Sequence, residues 1–122
     1  MNFKVKGVLL GILPLFAAAS VAGEPQVVDA KVRPRADGAY DFTATLRHGD
    51  EGWKHYADRW EVLTVGGETL AVRTLLHPHV DEQPFTRGLT GVRIPAAAAK
   101  VVIRAHDSRH GYGAKTVTLE LP

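Results

Sequence analysis

Tyr40-Asp41-Phe42-Thr43-Ala44-Thr45-Leu46-Arg47 alternates apolar and polar side chains along its length, the period of a strand with one face in a core and one in water. Tyr40, Phe42, Ala44 and Leu46 are expected to point inward, and Asp41, Thr43, Thr45 and Arg47 outward. The same period recurs on both sides. Val28, Ala30 and Val32 suit a preceding strand. Trp60 and Val62 mark a third, closed by Gly66-Gly67, a two-residue hairpin signal. Leu70, Val72, Thr74 and Leu76 face inward from a fourth, and Phe85 to Ile94 form a fifth that Gly88 and Gly91 break or bulge. Val101, Ile103 and Ala105 define a sixth, and Val117, Leu119 and Leu121 a seventh. The expected strands cover 26–33, 40–47, 59–65, 69–76, 85–94, 100–106 and 114–121. Ala96 to Ala99 has helix propensity but follows Pro95 and is too short to stand alone, so it reads as a connection. Seven short strands at this spacing predict an all-β fold, a seven-stranded Greek-key β-sandwich.

The chain has 122 residues. Its first residues carry Lys4 and Lys6 without an acid, an apolar run follows from Val8 to Ala19, and Ser20-Val21-Ala22 supplies small residues where a signal peptidase reads them. Residues 1–22 therefore read as a secretory signal peptide, with cleavage expected after Ala22 and one domain over 23–122. The apolar run is short for a bilayer span, and no cysteine follows it to accept a lipid, so a periplasmic or secreted protein is expected, with no transmembrane segment in the mature chain. The leader also accounts for the basic balance. Of 15 Lys and Arg, two lie in it, which leaves 13 against 13 Asp and Glu. A neutral domain lacks the footprint that phosphate binding needs, so no nucleic acid is expected as a partner. Without cysteine, the fold must hold by its core in an oxidising compartment.

Two resemblances add to this reading. Leu89-Thr90-Gly91-Val92-Arg93-Ile94-Pro95, Val101-Val102-Ile103-Arg104-Ala105 and Gly111-Tyr112-Gly113 resemble the end of a fibronectin type III domain, while Trp60 on the third strand departs from that family and is more like immunoglobulin domains. The resemblance implies a sandwich of that general kind. The strings Glu51-Gly52-Trp53-Lys54-His55-Tyr56-Ala57-Asp58-Arg59-Trp60-Glu61-Val62, Leu76 to Arg87 and Arg104 to Gly113 resemble an uncharacterised family of small secreted bacterial proteins. That resemblance implies an exported β domain and brings no activity with it.

The six histidines lie in three short stretches: His48 and His55, His77 and His79, His106 and His110. In a seven-stranded sandwich, alternate connections share a pole, and these stretches fall on connections two, four and six. The spacing therefore predicts one histidine-rich pole, with Asp50, Glu51, Asp58, Asp81, Glu82 and Asp107 among the imidazoles. His77-Pro78-His79 is its sharpest element, since proline stiffens the chain and an extended backbone sends i and i+2 to one side. His77, His79 and His110 are the expected first ligands of a metal ion, with His55 the fourth and His106 an alternative from the same connection as His110. His48 is expected to pack. Imidazole and carboxylate without thiolate or thioether suit Zn²⁺ or Cu²⁺.

Three other readings bear on the same residues. His, Asp, Arg and Trp can form a metal-free, hydrogen-bonded cap over the end of a sandwich, satisfying loop backbone groups and presenting a rigid protein-interaction surface. Trp53, Tyr56 and Tyr112 can form an aromatic shelf for a ligand if their rings are exposed. An enzyme is not expected: Ser108 lies beside His106 and Asp107, but neighbours in sequence do not form a catalytic line, and no nucleophile-elbow glycine pattern surrounds it. The leading expectation is a non-enzymatic cell-envelope binding module whose partner is a metal ion, or failing that an envelope protein.

Overall fold

A computed structural model describes residues 23–122; the expected signal peptide, 1–22, lies outside the described residues. These residues fold into eight strands: β1 (Gln26–Pro34), β2 (Tyr40–Arg47), β3 (Ala57–Leu63), β4 (Thr69–Thr74), β5 (Phe85–Val92), β6 (Lys100–Asp107), β7 (Gly111–Tyr112) and β8 (Val117–Glu120). They form two antiparallel sheets. One has the order β1-β2-β5; the other runs β4-β3-β6-β7, with β8 also on β6. Among the described residues no helix is long and apolar enough to cross a membrane.

The alternation in β2 is realised: Phe42, Ala44 and Leu46 are buried, and Thr43 and Arg47 are exposed. They meet Trp60 and Val62 of β3 and Val101, Ile103 and Ala105 of β6 in one core shared by the sheets. Each large apolar side chain buried there, such as Trp60 or Phe42, contributes roughly 1.5–3 kcal/mol relative to exposure.

The count of eight strands corrects the expected seven. The last strand is interrupted: β7 pairs with His106 and Asp107 at one end of β6, and β8 with Lys100 to Ile103 at the other. Between them Gly113 passes so close to Pro25 that a β-carbon would fall 1.8 Å from the Pro25 carbonyl oxygen.

Bulges account for the misjudged faces. A register shift between Val27 and Asp29 buries Val27 where Val28 was expected. Another, between Val62 and Leu63 opposite β4, reverses the phase of that strand, so Val72 and Leu76 are exposed and Leu75 is buried. In β5 the expected bulge occurs beside Gly91, which has φ +69° and donates its N–H to Asp41.

The hairpin after β3 has a three-residue loop, Val65-Gly66-Gly67, closed by Gly67 N–H to the Thr64 carbonyl and Thr64 N–H to the Glu68 carbonyl. It differs from the expected two-residue turn because only Gly67 takes the left-handed conformation, a type I turn plus bulge. At Ala96–Ala99 the chain makes a turn, Ala98 N–H donating to the Pro95 carbonyl.

Candidate metal centre at one pole of the sheets

Connections 48–56, 75–84 and 108–110 meet at one pole. His48 N–H donates to Gln83 Oε1 at 2.9 Å, and Gln83 Nε2 donates to the His79 carbonyl at 2.9 Å. Ser108 N–H donates to the Tyr56 carbonyl at 2.9 Å. These bonds set the frame on which the imidazoles stand.

Asp107 is the centre of the pole. It continues the inward series Val101, Ile103, Ala105 by one more step, so the end of β6 delivers a carboxylate where the core would otherwise close; it is 0 % exposed. Its Oδ1 accepts the N–H groups of Arg109 and His110 at 2.6 and 2.7 Å. Its Oδ2 faces three rings: His48 Nε2 at 2.7 Å, His55 Nε2 at 2.9 Å and His110 Nδ1 at 3.2 Å. Burial opposes ionisation of this carboxyl. The His110 and Arg109 N–H groups and the imidazoles outweigh it, holding Asp107 well below the usual carboxylate range.

Two carboxylates brace the rings from behind. His48 Nδ1 contacts Asp50 Oδ1, and Asp50 also accepts the N–H of Ala57 at 3.0 Å and of His79 at 2.6 Å. His55 Nδ1 lies 2.6 Å from Glu51 Oε1. That bond raises the His55 pKa, burial opposes it, and Asp107 and the Gly23 carbonyl add to the rise. Among the described residues, metal-ligating atoms from His48, His55 and Asp107 all lie within 4.8 Å of one another. His110 Nδ1, 3.1 Å from His55 Nε2, stands at the rim of this group. In a tetrahedral site with bonds of about 2.0–2.1 Å, ligand atoms sit about 3.3 Å apart; the contacts of His110 Nδ1 with His55 and Asp107, 3.1 and 3.2 Å, are near that spacing, whereas His48 and His55 stand at hydrogen-bonding distance from Asp107, 2.7 and 2.9 Å, and their rings must draw back by about half an ångström to admit an ion.

The arrangement leaves the inner ring nitrogens in need of a cation. His48 has acceptor oxygens on both sides, Asp50 behind and Asp107 with the Gly23 carbonyl (2.7 Å) in front. His55 lies between Glu51 and the same Asp107. A neutral imidazole has one N–H. When that hydrogen faces the bracing carboxylate, the inner nitrogen presents a lone pair to Asp107, and a second proton, or a metal ion once the rings draw back, must satisfy both.

The structure groups the expected ligands differently from the sequence reading. His55 and His110 are at the centre. His48, expected to pack, is there too, because it lies in phase with Phe42, Ala44 and Leu46. His77 and His79 keep their rings on one side, 4.6 Å apart, but away from Asp107. His79 stacks on Phe85 at 3.9 Å, and its Nε2 accepts from Arg87 at 3.0 Å; burial, then Arg87 and His77, lower its pKa. Exposed His77 places its Nδ1 3.0 Å from the Pro78 carbonyl. His106 is one step out of phase with Asp107, so it emerges on the outer face of its sheet. There it meets Asp58 at 2.7 Å and the edge of the Tyr112 ring.

Asp107, Asp50 and Glu51 were not singled out as individual site residues, although Asp107 and Asp50 carried a signal: each is a charged residue in phase with a buried apolar series. The aromatics do not share one surface. Trp53 is exposed and packs on Tyr56 at 5.6 Å, whereas Tyr112 lies under Arg104 on the outer face, hydrogen-bonded to buried Glu61.

The chain is 40% identical over 97 residues, 80% of its length, to a protein of Halomicrobium mukohataei named "Putative lipoprotein", and those residues are 47% of that protein. The chain thus spans about half the length of the curated relative it matches. No family model matches, and no solved structure does.

Proposed function

We propose that this protein is an exported, non-enzymatic module of the cell envelope that takes up one divalent transition-metal ion, Zn²⁺ or Cu²⁺, at His48, His55 and Asp107, with His110 at the rim. The observation that carries this reading is the convergence of two carboxylate-braced imidazoles on one buried carboxylate oxygen, with both inner nitrogens facing acceptors. Export rests on the order of charge, apolar run and small residues in 1–22 and on the name of the Halomicrobium relative. On this reading 23–122 form one β domain. The β1-β2-β5 and β4-β3-β6-β7 sheets are compatible with a Greek-key sandwich like fibronectin type III.

Titration of the metal-free protein with each ion at neutral pH, in competition with a chelator, tests the proposal. One saturable equivalent is expected, greatly weakened by His55→Gln and His110→Gln, with circular dichroism confirming that both variants fold. A second reading is favoured by the backbone N–H bonds that Asp50 and Asp107 accept: a metal-free cap in which a second proton on each ring replaces the ion, carrying a protein-interaction surface. Absence of saturable binding of either ion selects the cap.

A further inference from the structure

The chain enters β1 from the metal-binding pole. Val27 N–H donates to the Lys115 carbonyl at 3.0 Å, Ala114 N–H donates to Glu24 Oε1 at 2.8 Å, and Pro25 is pressed against Gly113. This strapping sets Gly23 among the imidazoles. Its carbonyl oxygen lies 2.7 Å from His48 Nε2. A β-carbon on it would fall 2.9 Å from His110 Cε1, 3.2 Å from His110 Nδ1 and 3.3 Å from His55 Cε1, and its φ is +90°. Only glycine fits such a space and conformation without displacing a ring. Its nitrogen is one bond, about 1.46 Å, from that α-carbon.

Resting on the metal-binding reading above, we propose that signal-peptide cleavage completes the centre: the α-amine and carbonyl oxygen of Gly23, the first residue of the mature protein, join His48, His55 and Asp107 around the ion. Signal peptidase adds water across the Ala22–Gly23 amide, leaving a carboxylate on the leader and an amine on Gly23. The amine gives up its ammonium proton to solvent as its lone pair binds the ion. Amine nitrogen and carbonyl oxygen of one residue close a five-membered chelate ring, which an amide nitrogen in an uncleaved chain does not offer at neutral pH. Adding an amine to two imidazoles makes a nitrogen-rich set, which selects Cu²⁺ over Zn²⁺. The precursor thus has an incomplete site, and tight loading follows export.

The test compares two exported proteins, each with its N-terminus read by intact mass. One is the natural chain. The other carries a glutamine inserted between Ala22 and Gly23, which cyclises to pyroglutamate after cleavage and offers no amine. Both are titrated with Cu²⁺ against a competing chelator, and the Cu²⁺ forms are examined by electron paramagnetic resonance. The blocked protein is expected to bind at least about tenfold more weakly, a loss that even an outer partner of a ligand can cause, with one fewer coupled nitrogen. Equal affinity and identical spectra would overturn the inference and leave the metal-binding reading standing. Cleavage at another bond would overturn it too. Failure of both proteins to bind would remove the metal-binding reading as well.

Discussion

His48 Nε2 lies 2.7 Å from Asp107 Oδ2 across 59 positions of sequence. His48 follows the last residue of β2 and Asp107 ends β6, so the contact ties one sheet to the other at the pole where the core ends. Neither side chain is exposed. This contact therefore bears on stability as well as on the proposed metal centre.

Asp107→Ala removes the acceptor of three rings and of the Arg109 and His110 N–H groups. Urea denaturation of the metal-free protein is expected to show a loss of about 3–5 kcal/mol, as when one partner of a buried pair is deleted. Asp107→Asn keeps an oxygen for the turn and is expected to lose less. A loss below about 1 kcal/mol for the alanine variant, that of one ordinary hydrogen bond, would show that the buried network is not formed in solution.

Gly113→Ala places a methyl group 1.8 Å from the Pro25 carbonyl oxygen, and the atom it meets is backbone, which cannot swing aside. The expected cost is about 3 kcal/mol, at the upper end for overpacking. The variant is also expected to weaken Cu²⁺ binding, since Pro25 helps to hold Gly23 at the pole. Thermal melts and a parallel ion titration measure the two effects; an unchanged melting temperature would contradict the close approach.

Metal-free protein is expected to lose stability as pH rises above the ordinary histidine pKa of about 6.5, whereas the lowered pKa of His79 acts below that value. The folded state raises the His55 pKa through Glu51, against burial, with help from Asp107. Folding therefore favours its protonated form. That contribution is fully present below the unfolded pKa and is lost as pH rises through the folded one. The metal-loaded protein is expected to show the opposite trend, because the ion competes with the same protons. Melts across this range, with chelator and with Zn²⁺, should diverge; parallel curves would argue against a shared site for proton and metal.

Asp41 lies at the opposite end of β2. Its carboxylate accepts the Gly91 N–H and pairs with Arg33 and Arg35, which hold its pKa at about 2 against partial desolvation. A depressed carboxylate pKa stabilises the fold above the unfolded value and ceases to do so as pH falls through the folded one. Asp41→Asn is therefore expected to lower the melting temperature at neutral pH, with the difference from the natural chain closing as pH falls from about 4 to about 2. A difference that persists at the acid end would assign the effect to the shape of the β5 bulge rather than to charge.

The alternation of residues 40–47 and 101–105 was sufficient to place β2 and β6 and their buried faces, since a period of two leaves a strand one way to bury its apolar side chains. The count of strands between turn signals put the histidine-bearing connections at one pole. The bulges were not legible, because a one-residue register shift depends on which neighbour a strand pairs with; Val72 and Leu76 therefore reversed face. The break at Gly113 needed the approach of Pro25, 88 positions away in the chain.

The sequence by itself determined that residues 23–122 are all-β and carry six imidazoles with carboxylates on three connections. Local geometry favoured His77 and His79, because an i, i+2 relation is the only one that spacing can express. Only the tertiary structure decided that His48, His55 and His110 meet at Asp107; that His106 turns to the other face already follows from the alternation of Val101, Ile103 and Ala105. The physical reason is that a ligand set is a relation among side chains delivered by different strands. Strand phase at the ends of β2 and β6 sets which side chains point into the space between the sheets, and the packing of the sheets sets which of those come within bonding distance.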